Sequence, residues 1–167
     1  MIILGIDPGY AITGFGLIQV EKQKLTALDY GVIRTDAEVP FPERLLAIDQ
    51  ALDELRARYK PDCFAVEELF FSRNTTTAMG TAQARGVAIV AAARAGLLVY
   101  EYTPVQVKAA VTGYGRADKK QMQEMVRVLL KLRQIPRPDD AADALAVAIC
   151  HAHSGNRDGR LAVGGYQ

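Results

Sequence analysis

Cysteine is scarce: the 167 residues contain two, Cys63 and Cys150, each in an apolar context and without CxxC spacing. That count and spacing exclude a disulfide framework, and both residues read as reduced core positions. Histidine is as rare, with His151 and His153 near the end of the chain, so there is no Cys/His cluster of the kind that binds zinc. The two histidines read as partners of a helix C-terminal dipole. Long hydrophobic runs are missing too. No stretch approaches the roughly 20 consecutive apolar residues that span a bilayer. The first residues, Met-Ile-Ile-Leu-Gly-Ile-Asp-Pro-Gly, lack the basic n-region and small-residue cleavage site of a secretory signal and read as a strand. A cytoplasmic location is the expectation. An excess of one charge is also lacking: 20 Lys and Arg stand against 19 Asp and Glu, a formal net charge of +1. Composition alone therefore does not announce a nucleic-acid binder, and 50% hydrophobic residues are ordinary for a globular chain.

What is present is unevenly placed. Between Lys108 and Arg137 stand Lys108, Arg116, Lys119, Lys120, Arg127, Lys131, Arg133 and Arg137, against Asp118 and Glu124. Such a basic segment can dock a phosphate backbone, and it can equally be a solvated helix face.

Periodicity gives the elements. Ile2 to Asp7 is a short apolar run closed by Pro8-Gly9, the pattern of a buried central strand. Gly14–Val20 and Leu25–Arg34 read as two more strands of an antiparallel meander. A helix over Glu43–Tyr59 follows, with Leu45, Ile48, Leu52, Leu55 and Tyr59 as its apolar stripe. Cys63–Val66 is a fourth strand that runs into Glu67-Glu68, and Leu69–Asn74 is a loop. Thr75–Arg94 is an Ala-rich helix stopped by Gly96, and Leu97–Tyr102 is a fifth strand. A short helix from Thr103-Pro104 is broken by Gly113-Tyr114-Gly115. Another helix runs from Ala117 or Asp118 to about Leu132, and the last spans Asp139–His153. With no repeat and no linker, residues 1–153 read as one domain and 154–167 as a flexible C-terminal tail. The order β-β-β-α-β-α-β, followed by helices, predicts an α/β architecture of the ribonuclease H-like kind: a five-stranded mixed sheet with helices on both faces. Actin-like ATPase subdomains share that order, so the fold by itself does not choose the function.

Four acids carry the chemistry. Asp7 closes the first strand and Glu67 the fourth. In the predicted topology these strands are parallel neighbours, about 4.8 Å apart, so both carboxylates lie where open α/β sheets bind ligands. Asp140 and Asp143 are three apart at the start of the last helix and share one of its faces. The helix N-terminus would by itself favour an acid at either position. Together, four converging carboxylates would repel one another unless a hard divalent cation with oxygen ligands neutralised them. Carboxylates suit Mg²⁺ or Mn²⁺, and two such ions can activate a water and stabilise the leaving oxygen of a phosphodiester.

At these residues the chain resembles the RuvC family. The resemblance is carried by Gly5-Ile6-Asp7-Pro8-Gly9 with Thr13-Gly14-Phe15-Gly16, by Ala65-Val66-Glu67 with Phe70, and by Gly80-Thr81-Ala82-Gln83-Ala84-Arg85-Gly86. Gln106-Val107-Lys108 and Asp140-Ala141-Ala142-Asp143-Ala144-Leu145-Ala146 complete it. It implies that Asp7, Glu67, Asp140 and Asp143 are the metal-binding acids, with Glu68 and Asp139 outside the set. The implied cofactor is Mg²⁺, replaceable by Mn²⁺, with two ions per site. The implied activity is nicking of two opposed strands of a four-way DNA junction by a symmetric homodimer, in recombination and repair, alongside the RuvA–RuvB branch-migration complex. Lys108 and Lys119 are the implied phosphate contacts, with Arg116 and Lys120 as further DNA contacts. Phe70 stands where the family places a base-stacking aromatic, worth ~1–3 kcal/mol per base; on the sequence alone, Phe70 and Phe71 could equally anchor their loop in the core. The Ala-rich helix with Arg85 and Gly86 is expected near the dimer interface.

Overall fold

The computed structural model describes residues 1–69 and 75–154. Five strands form one sheet in the order β3-β2-β1-β4-β5. They are β1 (Ile2–Asp7), β2 (Ile12–Glu21), β3 (Lys24–Arg34), β4 (Cys63–Glu67) and β5 (Leu98–Tyr102). β1 to β3 pair antiparallel, and β4 and β5 join parallel to β1 and to each other. The helices are α1 (Phe41–Tyr59), α2 (Thr75–Arg94), α3 (Pro104–Thr112), α4 (Lys119–Leu129) and α5 (Asp139–Ser154). This is the expected mixed ribonuclease H-like sheet.

Strand alternation divides the core in two. Leu4, Ile6, Phe64 and Val66 face α1 and α2, where Ile48, Leu52, Ala84 and Ala88 complete an apolar layer. Ile3, Cys63 and Ala65 face the opposite way, toward α3, α4 and α5. The stripe expected on α1 packs as predicted, with Ile48 and Leu52 buried and Leu45, Leu55 and Tyr59 against them. Both cysteines are buried and free, and burial pushes their thiols up, Cys63 to about 12 and Cys150 to about 11.

Boundaries shift where local chemistry competes with periodicity. α1 begins at Phe41, because Pro40 occupies its N-cap and Pro42 its first turn, positions that need no N–H donor. α4 is shorter than the apolar pattern suggests. Asp118 opens it with a reciprocal capping box to Gln121, and the chain leaves helical geometry at Leu130. Lys131 then takes a left-handed backbone at φ 53°. α5 runs one residue past its expected end, taking in Ser154; the remaining tail, 155–167, lies outside the described residues. So do Phe70 and Phe71.

α5 lies almost flat on the sheet. From Ala141 to His151 every residue but Asp143 is buried. The approach is possible because Gly5 and Gly14 carry no side chain. A Cβ on Gly5 would be driven into the Ala144 carbonyl of α5, and one on Gly14 into the Asp140 carbonyl. Backbone thus rests on backbone, and the first turn of α5 is brought down beside the end of β1.

Candidate active site

Asp7 is the last residue of β1 and Glu67 the last of β4. The parallel register pairs Ile3 with Cys63 and Ile6 with Val66, so Asp7 and Glu67 come next in line. Alternation points both toward α5, as it does Gly5 and Ala65. Asp7 also pairs across to Gly14, the glycine beneath Asp140. Two strand ends and one helix start therefore meet at a single edge of the sheet, as the sequence predicts.

Three of these acids, Asp7, Glu67 and Asp143, are raised above the usual carboxylate range. Burial raises Asp7 well above the usual carboxylate range, and the charges of Asp143, Glu67 and Asp140 raise it further, with Lys119 opposing. Burial and the charge of Asp143 push Glu67 up to about 7, while Lys108 pulls it down. Asp143 is raised by burial against the pull of Lys119. A buried carboxylate cluster that its lysines offset only in part behaves in this way.

A cleft of about 270 Å³ opens here, walled by Glu67, Lys108, Lys119 and Asp143 together with Pro104, Val107, Asp118 and Met122. Lys108 comes from α3, which is itself closed at its N-terminus by a Thr103–Gln106 capping box. Lys119 comes from the first turn of α4, and its Nζ lies 3.2 Å from Asp143 Oδ2 and 3.3 Å from Asp139 Oδ2. Lys120 points elsewhere. It lines a neighbouring hollow of about 490 Å³ with Thr112, Tyr114 and Glu124. Arg116 is exposed and is not on the wall of the acidic cleft. Two cations of the basic segment are spent on local pairs, Arg127 on Glu124 and Arg137 on Asp139.

The donor set fits a hard divalent cation. The convergent side chains are carboxylates whose mutual repulsion already marks the site as short of positive charge, and oxygen ligands of this kind suit Mg²⁺, Mn²⁺ or Ca²⁺. Among the described residues, no three His, Cys, Asp or Glu side chains close on one point as they stand. An ion would therefore have to draw the acids together, and Lys119 would have to yield Asp143.

Several partners here were not legible in the sequence. Arg85, on the helix expected near a dimer interface, turns its guanidinium inward, paired with Glu101 of β5 and with Nε donating to the Glu67 carbonyl at 3.4 Å. It ties α2 to the end of β4. No sequence signal announces the pair beyond an arginine in an Ala-rich helix. His151, read as a dipole partner, is buried: its Nδ1 shares a 2.6 Å hydrogen bond with the Tyr102 hydroxyl, and its ring lies 4.2 Å from that of Tyr100. Burial lowers His151, which favours the neutral ring accepting from Tyr102. His153 Nδ1 contacts the Ala110 carbonyl at 2.9 Å and links α5 to α3.

The family model for crossover junction endodeoxyribonuclease RuvC matches residues 3–151. The chain is 59% identical over 156 residues to the crossover junction endodeoxyribonuclease RuvC of Alkaliphilus metalliredigens, covering 93% of this chain and 95% of that one. It is 62% identical over 154 residues to the RuvC of Heliobacterium modesticaldum, covering 92% and 95%. Among solved structures, T. thermophilus RuvC in complex with a Holliday junction substrate superimposes with a TM-score of 0.88 at 41% identity, over 92% of this chain and 94% of that one. With a family model matching nearly the whole chain and relatives about 60% identical over nine-tenths of it, the chain belongs to the RuvC family of crossover junction endodeoxyribonucleases.

Proposed function

We propose that this chain is a structure-specific endonuclease that resolves four-way DNA junctions by hydrolysing phosphodiester bonds, making paired nicks in opposed strands during recombination and repair. One observation carries the reading: a chain matching the RuvC model over residues 3–151 brings Asp7, Glu67 and the first turn of α5 to one edge of its sheet. Asp7, Glu67, Asp140 and Asp143 are the residues that would hold divalent cations, Mg²⁺ with Mn²⁺ able to replace it, at two ions per site. Such ions supply activation of a water and stabilisation of the leaving 3′ oxygen. The chain's own residues do the rest. Lys108 and Lys119 stand on the cleft wall to receive backbone phosphates. Arg116 and Lys120, outside the cleft, would take up flanking DNA, and Phe70 would stack on an unpaired base at the crossover.

A homodimer suits a substrate with two-fold related scissile sites. The outer face of α2 supports it. Met79 and Val90 are 68% and 59% exposed, Gly86 between them has open space where a Cβ would be, and the three share one side of the helix. A second copy laid along that stripe would bury it. RuvA–RuvB is the proposed partner complex, and the cytoplasm the proposed location. Among the described residues no helix is long and apolar enough to cross a membrane.

The test is cleavage of a labelled four-way junction with Mg²⁺ or Mn²⁺, beside a linear duplex of the same sequence. Paired nicks confined to the junction and abolished by chelator are expected. Failure with both metals, on junctions of several sequences, would overturn the reading.

A further inference from the structure

Asp139 lies next to the four acids but is not one of them, and it has its own set of partners. Its carboxylate accepts the Lys119 ammonium at 3.3 Å and the Arg137 guanidinium, and Gln123 hydrogen-bonds to it as well. Asp139 and Asp143 are four apart on α5, so their side chains stack along one face of the helix. The Lys119 ammonium bridges them, 3.2 Å from Asp143 Oδ2. All three side chains reach solvent, at 55% for Lys119, 38% for Asp139 and 32% for Asp143.

From this geometry we propose that Lys119 is the resident counter-ion of the cleft in the metal-free protein, and that Asp139 is the seat that retains its ammonium at the rim when a divalent cation takes Asp143. The proposal rests on the reading of Asp143 as a metal ligand. An ammonium and a divalent cation cannot both sit against the same carboxylate oxygen without strong repulsion. Lysine is a compact charge on a flexible four-carbon stem, so rotation of that stem is enough to trade two carboxylates for one. Arg137 and Gln123 fix Asp139 from its other sides, which keeps this seat in place while Asp143 changes partner. The exchange also prepares the site for substrate. It leaves Lys119 at the cleft wall, held on one side only and facing the space that a backbone phosphate would enter. Asp139 is thus a positioning residue that acts through Lys119.

The experiment is a calorimetric titration of Mn²⁺ into the full chain without DNA, for the unsubstituted protein, Lys119→Met, Asp139→Asn, the double variant, and Asp143→Asn as site control. Lys119→Met keeps the stem and removes the competitor. Binding is expected to tighten about two- to five-fold, the range set by one exposed ion pair that no longer has to be broken. Asp139→Asn confines Lys119 to Asp143 and is expected to weaken Mn²⁺ binding, with a much smaller effect in the Lys119→Met background. In junction cleavage, Asp139→Asn should lower kcat more than it raises KM, and Asp139→Glu should restore it. Unchanged or weaker Mn²⁺ binding by Lys119→Met overturns the proposal. So does an Asp139→Asn effect of equal size in both backgrounds, which would be a plain charge effect. If Asp143→Asn leaves Mn²⁺ uptake untouched, the metal-site reading falls first and the proposal falls with it.

Discussion

The two faces of the sheet are built from alternate residues of the same strands, yet they are made for different purposes. Toward α1 and α2 the strands offer Leu4, Ile6, Phe64 and Val66, large side chains that meet Ile48 and Leu52 in an apolar layer. Toward α5 the neighbouring positions are Gly5, Ala65, Asp7 and Glu67. The first face gains stability from volume filled. The second gives up side-chain volume so that an Ala-rich helix can touch the strand backbone and deliver Asp140 and Asp143 to the strand ends. Its acids repel one another, and burial raises Asp7 and Glu67 out of the usual carboxylate range. A fold can carry such a site because the apolar layers on both faces of the sheet supply the stability.

Removing one acid should break this contrast most sharply. Asp7→Asn is expected to abolish cutting, a loss of about three powers of ten in rate if it removes the several kcal/mol that bound metal contributes to the transition state. Junction binding should persist. In chelator at pH 8 the variant should melt higher than the parent, because it no longer carries a crowded, buried carboxylate. An Asp7→Asn protein that fails to fold would make Asp7 structural. On the opposite face, Phe64→Ala should cost about 3–5 kcal/mol of stability, with cleavage per folded molecule unchanged. Denaturant melts and active-site titration together check both halves.

Gly14→Ala joins the two faces' logics in one position. The added methyl meets the Asp140 carbonyl, so the first turn of α5 must lift. Displacement of reacting groups by about 1 Å can cost 10²-fold in rate, against a stability loss of about 1–3 kcal/mol for overpacking. Activity should therefore fall far more than the melting temperature. Equal losses would mean that the glycine serves packing alone.

Those glycines show how far the sequence could be read. The acids were legible because a charged residue closing an apolar strand is conspicuous, and because Asp140 and Asp143 stand three apart at a helix start. The order of elements along the chain followed from the spacing of apolar runs. Illegible were contacts made by long, flexible side chains across elements distant in sequence. Lys119 could be placed near the cleft, but its bridge from Asp143 to Asp139 depends on how α4 sits beside α5. Arg85 could be placed on α2, but its inward pairing with Glu101 depends on which face of α2 meets β5. Lys120 and Arg116 follow the same rule: sequence proximity to Lys119 does not put them in the cleft, because residues one and three away on the chain point elsewhere.

The pH dependence of stability sharpens the electrostatic half of the comparison. Glu67 is raised from 4.5 to about 7, so between those values the folded protein binds more protons than the unfolded chain. Its contribution is therefore fully present below about 4.5 and is lost as pH rises through about 7. In chelator, the melting temperature should decline across that window, and Glu67→Gln should flatten the decline. Mn²⁺ should reverse it, since a bound cation favours the ionised acid. An identical slope in Glu67→Gln would assign the titration to Asp7 or Asp143.

The smallest expected effect separates a cation on the site face from one on the packing face. Lys108 stands on the cleft wall beside Glu67, whereas Arg94 bridges Asp49 and Asp53 at 2.8 and 3.1 Å between α1 and α2. If Lys108 meets a phosphate, Lys108→Ala should weaken junction binding uniformly across sequences and lower the salt slope of the association constant by about 1. Arg94→Ala should leave that slope alone and cost at most about 1 kcal/mol of stability, as exposed ion pairs do. Loss of Lys108 also removes the charge that pulls Glu67 down, so the decline of stability with pH in chelator should extend to higher pH. A Lys108 variant with an unchanged salt slope but a displaced pH profile would make that lysine a neighbour of the acids and not a contact of the DNA.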